Sequence, residues 1–313
     1  MKVLLTGANG FLGQAVVLKL SSMDDIDLVV SLRDKLASFP PNVKVIYINN
    51  IDNHTDWTHS LIGVDVVIHA AGRAHSPESY SEDELNTFRR INVQGSLNLA
   101  LQSISFGIKR FIFISSIKVN GDTTKAGIPF TSDDLPSPSD SYGVSKMEAE
   151  SALKRVFSYT DCELVIIRPV LIYGPKPKGN FNRLIKILST GIPLPFGGLS
   201  NPRSLVGIDN LIDLIVVCIT HPNAANNIFL ISDGEDISIS ELIHRIALAM
   251  NKNIILFNIW PLLVLISKLF GKKYNYIRLF SSLQVDIGKT CEILDWFPPH
   301  TLDEGLKKTL SED

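Results

Sequence analysis

Short runs of hydrophobic residues, rich in valine and isoleucine, recur along the first half of the chain and are separated by longer segments of mixed polarity. Short, mainly apolar runs of this kind predict strands that are buried on both faces. The longer segments predict helices, and Gly107 follows one of them at the position typical of a C-terminal glycine cap. Strands that alternate with helices predict an α/β fold built on a doubly wound parallel sheet. The predicted strands are Val3–Leu5, Leu28–Leu32, Val43–Ile48, Val64–Ile68, Phe111–Ile114 and Leu164–Ile167, and the predicted helices include Gly13–Leu20, Glu82–Phe106 and Tyr142–Val156.

The pattern changes after Arg168-Pro169, where the apolar runs become short and where glycine and proline cluster in Gly174–Gly179 and Gly191–Pro202. We therefore expect residues 1–170 to form the sheet domain and residues 171–313 to form mainly a smaller α/β lobe. Parts of the chain around 203–232 are expected to return to the sheet domain. Asp209 and Ser240 precede two helical patterns in this half and are predicted to be helix N-caps.

The most apolar stretch late in the chain, Ile259–Phe270, does not predict a membrane span. It is interrupted by Pro261 and Lys268 and falls short of the ~20 residues that a spanning helix needs, so we expect a buried helix. At the other end, Met1-Lys2 runs directly into the first predicted strand, which leaves no separate signal segment. We therefore expect a cytoplasmic protein.

Charge and cysteine content exclude several classes of function. The 313 residues include 30 Lys and Arg against 32 Asp and Glu, a formal net charge of −2, so no nucleic-acid partner is indicated. The three cysteines, Cys162, Cys218 and Cys291, are far apart in the sequence and form no C-x-x-C pair. This spacing supports neither a disulfide framework nor a cysteine zinc site, and we predict no metal site.

A glycine-rich loop, Thr6-Gly7-Ala8-Asn9-Gly10-Phe11-Leu12-Gly13, directly follows the first strand and opens the first helix. Such a loop binds a dinucleotide when Gly7 makes a tight turn, Gly10 lets the backbone approach a pyrophosphate, and Gly13 allows close packing of helix on strand. The position of the loop between strand and helix therefore predicts a dinucleotide-binding sheet of the Rossmann type.

The end of the second strand decides which dinucleotide is preferred. An acidic residue there would bind the ribose hydroxyls of NAD, but the strand ends Ser31-Leu32-Arg33-Asp34. If Leu32 is the strand tip, Arg33 can instead meet the 2′-phosphate of NADPH. We therefore expect NADPH to be preferred, with NAD(H) possible, since Asp34 becomes a rival ribose ligand if the strand ends later.

A second group of residues suggests proton transfer. Ser115-Ser116 follow the fifth strand at the sheet edge where ligands bind, and Tyr142 and Lys146 lie one turn apart at the start of a helix. A lysine so close to a tyrosine can lower the pKa of the phenol, which would make Tyr142 a proton donor or acceptor near neutral pH. In a chain that opens with a dinucleotide loop, this set predicts an oxidoreductase site.

At these residues the sequence resembles the extended short-chain dehydrogenase/reductase family, which contains nucleotide-sugar epimerases, dehydratases and reductases. The resemblance covers essentially the whole chain. Besides Thr6–Gly13 and Ser115-Ser116, it rests on Asp52 at a predicted strand end, His69-Ala70-Ala71-Gly72, Asn92-Val93-Gln94-Gly95, Tyr142-Gly143-Val144-Ser145-Lys146 and Arg168-Pro169.

The resemblance implies roles for individual residues. Ser116, Tyr142 and Lys146 would be catalytic, with the Ser116 hydroxyl bonded to the reacting sugar oxygen. Asp52 would lie by the adenine, and Asn92 near the catalytic lysine. The expected cofactor-binding residues are Thr6, Gly7, Asn9, Gly10, Phe11, Leu12, Arg33, Ile51, Asp52, Ala70, Ala71, Gly72, Asn92, Tyr142, Lys146 and Pro169.

The resemblance extends to a nucleoside-diphosphate-sugar pocket in the smaller lobe. Arg203 is expected to grip the diphosphate, because its planar fork suits phosphate oxygens. Arg278 matches the family pattern poorly and is expected to be a surface residue. The expected substrate-binding residues are Ser116, Lys118, Asn180, Phe181, Phe196 and Arg203.

Within the family, 4,6-dehydratases carry an acidic pair directly after the catalytic hydroxyl residue, where this chain has Ile117-Lys118. Dehydration would therefore lack its proton donor and is not expected. The run from Ser115 to Gly121 resembles reductases of UDP-4-keto-6-deoxy-N-acetylhexosamine, which make UDP-N-acetylquinovosamine or its 4-epimer for bacterial surface polysaccharide, and reduction is our first expectation. One alternative is a UDP-sugar 4-epimerase with tightly bound NAD, and another is a non-catalytic dinucleotide sensor. The family further implies a homodimer.

Overall fold

The computed structural model describes residues 1–33, 38–74, 82–177, 179–258 and 281–311. Its larger sheet has seven parallel strands in the order β3-β2-β1-β4-β5-β6-β9. Its smaller sheet has three strands in the order β10-β8-β7, of which β10 is antiparallel to β8. The strands are β1 Lys2–Thr6, β2 Asp27–Leu32, β3 Lys44–Tyr47, β4 Val66–His69, β5 Arg110–Ile114, β6 Glu163–Pro169, β7 Leu171–Tyr173, β8 Arg203–Gly207, β9 Ile228–Ile231 and β10 Asp236–Ile237.

The order of the larger sheet reverses between β1 and β4, and it is at such a reversal that open α/β sheets bind ligands, outside the carboxyl ends of the strands. In β1, Leu4 pairs with Val29 on one side and with Val67 on the other, and all three are buried. Strands covered on both faces favour apolar side chains at nearly every position, and the sequence of these strands is mainly apolar, with a few polar exceptions such as the buried Ser31. The predicted doubly wound parallel sheet is confirmed.

The helices pack on both faces of the larger sheet and over the smaller one. A continuous helical segment between β4 and β5 changes from α to π and back to α, with the π turn over Arg89–Gly95. Two three-residue 3-10 turns span Ile117–Val119 and Pro222–Ala224. Within the described residues the α-helices are α1 Phe11–Ser21, α2 Thr58–Leu61, α3 Glu82–Phe88, α4 Ser96–Ser105, α5 Ser141–Phe157, α6 Gly179–Ser189, α7 Ile208–Thr220, α8 Ile239–Ala249, α9 Gly288–Leu294 and α10 Leu302–Ser311.

Three hydrophobic clusters form the core. One joins α1 and α7 to the first face of the large sheet and includes Val16, Leu20 and Leu214. The second joins α4 and α5 to the opposite face and includes Leu99 and Leu153. The third lies in the smaller lobe, between its sheet and the helices α6, α8 and α10. The site described below sits where the carboxyl ends of β1, β4 and β5 meet helix α5.

Both helix N-caps predicted in the second half were wrong by two residues. Helix α7 is capped by Gly207, because β8 runs straight into it, and Asp209 lies in its first turn. Helix α8 is capped by Ser238, whose hydroxyl accepts a hydrogen bond from the N–H of Glu241 at 3.0 Å, while Ser240 donates to a backbone carbonyl instead. The stretch Ile259–Phe270 lies outside the described residues. Among the helices that are described, none is long and apolar enough to cross a membrane.

Candidate active site

The glycine loop folds as its spacing predicts. Gly7 adopts a φ of 77°, in the left-handed region, and its carbonyl accepts a hydrogen bond from the N–H of Gly10 at 2.9 Å. A Cβ atom on Gly7 would lie 2.7 Å from the backbone nitrogen of Ala71, and one on Gly13 would overlap the carbonyl of Gly7. The loop is therefore packed so closely against helix α1 and the loop after β4 that larger residues do not fit at these two positions.

This arrangement fits a dinucleotide. Helix α1 begins at Phe11, and its N-cap, Gly10, makes no side-chain hydrogen bond to the first turn. The N–H groups of that turn and the positive end of the helix dipole suit a diphosphate. Asn9 is exposed beside the loop, Phe11 and Leu12 are half-buried, and Thr6 is buried at the end of β1.

A chain of hydrogen bonds links the end of β1 to the π turn. His69, at the end of β4, makes a 2.7 Å bond between its Nδ1 and Thr6 Oγ1, and a 2.8 Å bond between its Nε2 and Ser96 Oγ. The Ser96 hydroxyl donates to the carbonyl of Asn92 at 2.7 Å, so it accepts from Nε2, which therefore carries the proton. The imidazole is neutral, because complete burial, with a smaller contribution from the Lys146 charge, lowers its pKa to about 3.

The buried imidazole predicts a loss of stability in mild acid. The pKa of His69 is about 3 in the fold and 6.5 in a free histidine, so the unfolded chain binds more protons between these values and stability falls as the pH drops through them. Proton uptake at His69 on unfolding should lower the free energy of unfolding by about 2 kcal/mol between pH 7.5 and pH 5. Glutamine can keep both hydrogen bonds and does not titrate. Between pH 7.5 and pH 5, the free energy of unfolding of His69→Gln should therefore fall by about 2 kcal/mol less than that of wild type.

Urea unfolding at the two pH values measures this difference, and His59→Gln, at an exposed position, serves as the matched control. An equal pH dependence in wild type and His69→Gln would show that the imidazole is not the acid-sensitive group.

Asn92 connects the loop after β4 with helix α5. Its Oδ1 accepts from the N–H of Arg73 at 2.9 Å, and its Nδ2 donates to Ser145 Oγ, also at 2.9 Å. A Cβ atom on Gly72 would lie 3.1 Å from Asn92 Oδ1 and 3.5 Å from the Nζ of Lys146. The predicted proximity of Asn92 and Lys146 is thus seen, and the π turn places the asparagine there, as π turns often do at functional sites.

Ser116, Tyr142 and Lys146 come together at the carboxyl edge of β5. Ser116 caps the 3-10 turn and forms a hydrogen bond with the Tyr142 phenol. Lys146 donates from Nζ to the carbonyl of Ile114 at 2.8 Å. Asp140 caps helix α5 through a 2.7 Å bond from the N–H of Gly143. The cap and the lysine therefore hold the helix end that carries the phenol against the end of β5.

The ionisation of the phenol differs from our expectation. Burial, reinforced by the Asp140 carboxylate, raises the pKa of Tyr142 to about 12, and the hydrogen bond with Ser116 only partly opposes this. Burial also lowers the pKa of Lys146 to about 8, against a smaller opposing effect of Glu150. The prediction that Lys146 lowers the phenol pKa was wrong for this structure, because the ammonium is directed to the Ile114 carbonyl. A phenol that stays protonated at neutral pH is suited to donating a proton.

Other predicted cofactor residues take varied positions. Asp52 lies in a loop five residues beyond the end of β3, where its Oδ1 accepts from the N–H of His54 at 3.0 Å, so its placement at a strand end was wrong. Ile51 contacts Gly95 of the π turn. Arg33 directly follows β2 and is exposed. The strand tip is thus Leu32, as expected, and Asp34 lies outside the described residues.

The remaining predicted cofactor residues follow the ends of two strands. Ala70, Ala71 and Gly72 come directly after β4, beside the glycine loop. Pro169 ends β6 and is buried.

The predicted substrate residues are divided between the edge of the site and the smaller lobe. Phe181 is buried in the core of the smaller lobe, with its ring stacked on Tyr173 at 5.8 Å between centroids, and its assignment to the pocket stays a prediction. Lys118 forms ion pairs with Asp122 and with Asp140, the latter at 3.2 Å. The Lys118 ammonium is therefore held by two carboxylates at the edge of the site, and its contact with substrate stays a prediction.

The other members of this set lie in the smaller lobe. Arg203, at the start of β8, donates to the carbonyl of Ser281 at 3.1 Å, and Phe196 is half-buried against the core of that lobe. Asn180 lies in the first turn of α6, and Arg278 lies outside the described residues.

Sequence reasoning missed a buried ion pair beneath the site. Glu150, one turn beyond Lys146 on α5, binds the guanidinium of Arg168 from β6. The signal that could have revealed it is the spacing of four residues from Tyr142 to Lys146 to Glu150, which places all three on one face of the helix.

The doubly wound sheet, the uncapped glycine loop and the Ser116, Tyr142 and Lys146 set together define a dinucleotide-binding protein with a proton-transfer site. The sequence profile of the NAD dependent epimerase/dehydratase family matches residues 3–232. The chain belongs to this family, which acts on nucleotide sugars. The resemblance to extended short-chain dehydrogenases/reductases is thereby confirmed.

Individual relatives support the same family. The chain is 44% identical over 314 residues to a UDP-glucose 4-epimerase of Vibrio cholerae, covering 98% of this chain and 94% of the relative. Two solved structures share the fold over the full length of this chain. One is a UDP-glucuronic acid 4-epimerase from Bacillus cereus in complex with NAD, with a TM-score of 0.80, 23% identity and 96% of that chain covered. The other is a UDP-glucose 4-epimerase from Thermotoga maritima with UDP-glucose, with a TM-score of 0.78, 24% identity and 98% covered.

Proposed function

We propose that the protein is a UDP-sugar 4-epimerase that works on a retained NAD. The observation that carries the proposal is the pairing of the Ser116 and Tyr142 hydroxyls beside Lys146, at the sheet edge next to the dinucleotide loop. Our first expectation from the sequence was reduction of a keto sugar. The similarity to the Vibrio cholerae UDP-glucose 4-epimerase supports the epimerase alternative better.

In this proposal the chain's own residues handle the proton while the cofactor handles the hydride. NAD, when bound, would supply a reversible acceptor for the hydride of carbon 4 of the sugar. Tyr142 would have to lose its own proton to solvent first, so that its oxygen can accept the proton of the carbon 4 hydroxyl as hydride leaves and give that proton back when hydride returns. Ser116 would hold the same sugar oxygen by a hydrogen bond. Lys146 supplies a positive charge one turn from the phenol. The glycine loop and the free end of α1 hold the diphosphate of the cofactor.

NAD rather than NADPH is proposed as the cofactor. The similar Bacillus cereus structure contains NAD, which favours NAD over the NADPH that we expected from the sequence. Arg33 is exposed after β2 and would then be a surface residue. A homodimer stays a prediction, as does a role in surface polysaccharide synthesis.

The test begins with the protein as purified. Heating should release NAD in near-stoichiometric amount, and the protein should interconvert UDP-glucose and UDP-galactose, or their N-acetylated forms, without added cofactor, as followed by NMR. No product that has lost a molecule of water should form, because Ile117-Lys118 offers no acid to the leaving hydroxyl. Absence of both retained NAD and interconversion would contradict the proposal.

The reductase remains a second candidate, because the run from Ser115 to Gly121 resembles reductases of this family. It predicts that UDP-4-keto-6-deoxy-N-acetylhexosamine is reduced with consumption of added NADPH or NADH. Following cofactor absorbance with this substrate distinguishes the two candidates in one experiment. The sensor alternative is less well supported, because binding alone needs no proton donor at the site.

Arg203 provides a separate test of the sugar-nucleotide site. If its guanidinium contacts the diphosphate, Arg203→Ala should weaken binding of UDP by ~1.5–3 kcal/mol, or roughly 10- to 150-fold, and leave NAD content unchanged. Arg245→Ala is the matched control, since Arg245 lies in the same lobe but is bound to Glu235 and Glu241. Calorimetry that gives the same UDP affinity for both variants and wild type would remove Arg203 from the site.

A further inference from the structure

The Glu150–Arg168 pair is the most deeply buried ion pair among the described residues, with side chains 3% and 2% exposed. Glu150 Oε1 accepts from Arg168 Nε at 2.9 Å, and Oε2 accepts from the second nitrogen of the fork at 2.5 Å. A buried pair of this kind adds little net stability, because the loss of hydration offsets much of the attraction. Its effect on the fold is therefore to fix the relative positions of α5 and β6.

The pair also binds both ends of the turn that carries Ser116. Ser115 donates from Oγ to Glu150 Oε1 at 2.5 Å, and Arg168 donates to Asn120 Oδ1 at 2.9 Å. Ser115 immediately precedes Ser116, and Asn120 closes the 3-10 turn that follows it. The Glu150 carboxylate thus connects the start of this turn to helix α5 directly. It connects the end of the turn to the same helix through the Arg168 guanidinium.

On the same helix face, Lys146 holds the end of β5 through its bond to the Ile114 carbonyl, one turn from Glu150. Tyr142 lies one turn further toward the helix start. The two consecutive anchors therefore determine where the phenol lies relative to the Ser116 hydroxyl, and both hydroxyls must face the same substrate oxygen in the proposed reaction.

We propose that Glu150 is a positioning residue for hydride transfer. Together with Arg168 it holds the Ser115–Asn120 turn on helix α5, so that the hydroxyls of Ser116 and Tyr142 face the same substrate oxygen. This inference rests on the proposed use of Ser116 and Tyr142 at carbon 4. A misplacement of about 1 Å in such a site costs ~10²-fold in rate.

The test compares Glu150→Gln with Glu163→Gln in the NAD-loaded protein. Glu163 pairs with Arg110 across β5 and β6 at the opposite end of the sheet, so it is a control for loss of a carboxylate bound to a buried arginine outside the site, with the Glu163 side chain itself more exposed than that of Glu150. Glu150→Gln should lower kcat by ~10²-fold with KM and NAD content nearly unchanged, while Glu163→Gln should stay within about 2-fold of wild type.

A second readout separates positioning from a loss of folded protein. With substrate deuterated at carbon 4, Glu150→Gln should show a larger isotope effect on kcat than wild type, because hydride transfer becomes the slow step. If the variant only contained less folded enzyme, the isotope effect would be the same as in wild type. A folded Glu150→Gln with kcat within 3-fold of the control would overturn the proposal.

If Glu150→Gln does not fold, Ser115→Ala gives the answer, because it removes one hydroxyl and leaves the ion pair intact. It should lower kcat by ~10-fold, and an unchanged kcat would overturn the inference. If wild-type protein does not epimerise, the proposed function fails and not this inference. The same variants are then compared in reduction of UDP-4-keto-6-deoxy-N-acetylhexosamine, which uses the same two hydroxyls.

Discussion

Replacing Tyr142 with phenylalanine should reduce turnover by ~10²–10⁴-fold and leave the retained NAD in place. The ring would stay in place, because its centroid lies 6.0 Å from that of the Phe88 ring and the two rings pack together. Only the hydroxyl that pairs with Ser116 would be lost. The lost oxygen is the group that takes up the proton of the carbon 4 hydroxyl and gives it back, and because its pKa is raised to about 12 only its ionised form can begin the first half-reaction. The expected factor is the range for removal of a positioned group that carries out acid–base catalysis.

The measurement is kcat for interconversion of UDP-sugars, together with the NAD released on heating. Tyr173→Phe is the matched control, because its hydroxyl bonds to Asp233 in the smaller lobe at 2.6 Å and should affect stability rather than turnover. If Tyr142→Phe turned over within a few-fold of the control, another group would have to supply the proton.

Replacing Gly13 with alanine should abolish NAD retention and destabilise the fold by about 3 kcal/mol or more. The added methyl would overlap the carbonyl of Gly7, which is backbone and cannot rotate away as a side chain could. Relief of the overlap requires α1 to move from β1, and that movement displaces the N–H groups expected to face the diphosphate.

Gly107→Ala is the control for the loss of a glycine as such. Unlike Gly13, Gly107 has a positive φ, of 70°, and no atom lies within 4 Å of a Cβ built there. Gly107→Ala should lower the free energy of unfolding by only about 1–2 kcal/mol and leave NAD content unchanged. Released NAD and urea unfolding are measured for both variants. Normal NAD content in Gly13→Ala would mean that the loop does not form the diphosphate site.

The fold could be predicted from the sequence because its signals are local. The six predicted strands are mainly apolar runs, interrupted only by Ser31, Lys44 and Asp65, and each lies in the parallel sheet at nearly its predicted bounds. The Tyr142 and Lys146 pair could likewise be assigned, because one helical turn fixes their common face. The predicted C-terminal glycine of α4, Gly107, has the positive φ that such a cap requires.

What could not be predicted depends on contacts between distant segments. The direction of Phe181 follows from packing against Tyr173 on another element, which no local pattern reports. The ion pair of Lys118 with Asp140 forms only because the Ser116 turn lies beside the start of α5. The pKa of Tyr142 depends on how deeply the phenol is buried and on where the lysine points, and both are properties of the assembled site.

The position of β9 has a consequence for how the protein is made. Strand β6 pairs with β9, and in that pairing Ile166 lies opposite Ile228, 228 − 166 = 62 positions later in the chain. At ~5–20 residues per second, a ribosome needs several seconds to synthesise that interval. During this time β6 is the last strand of the growing sheet, with unpaired backbone groups along an apolar edge. The nascent chain is therefore most exposed to aggregation just before β9 leaves the ribosome, and slower translation across the smaller lobe would lengthen that interval.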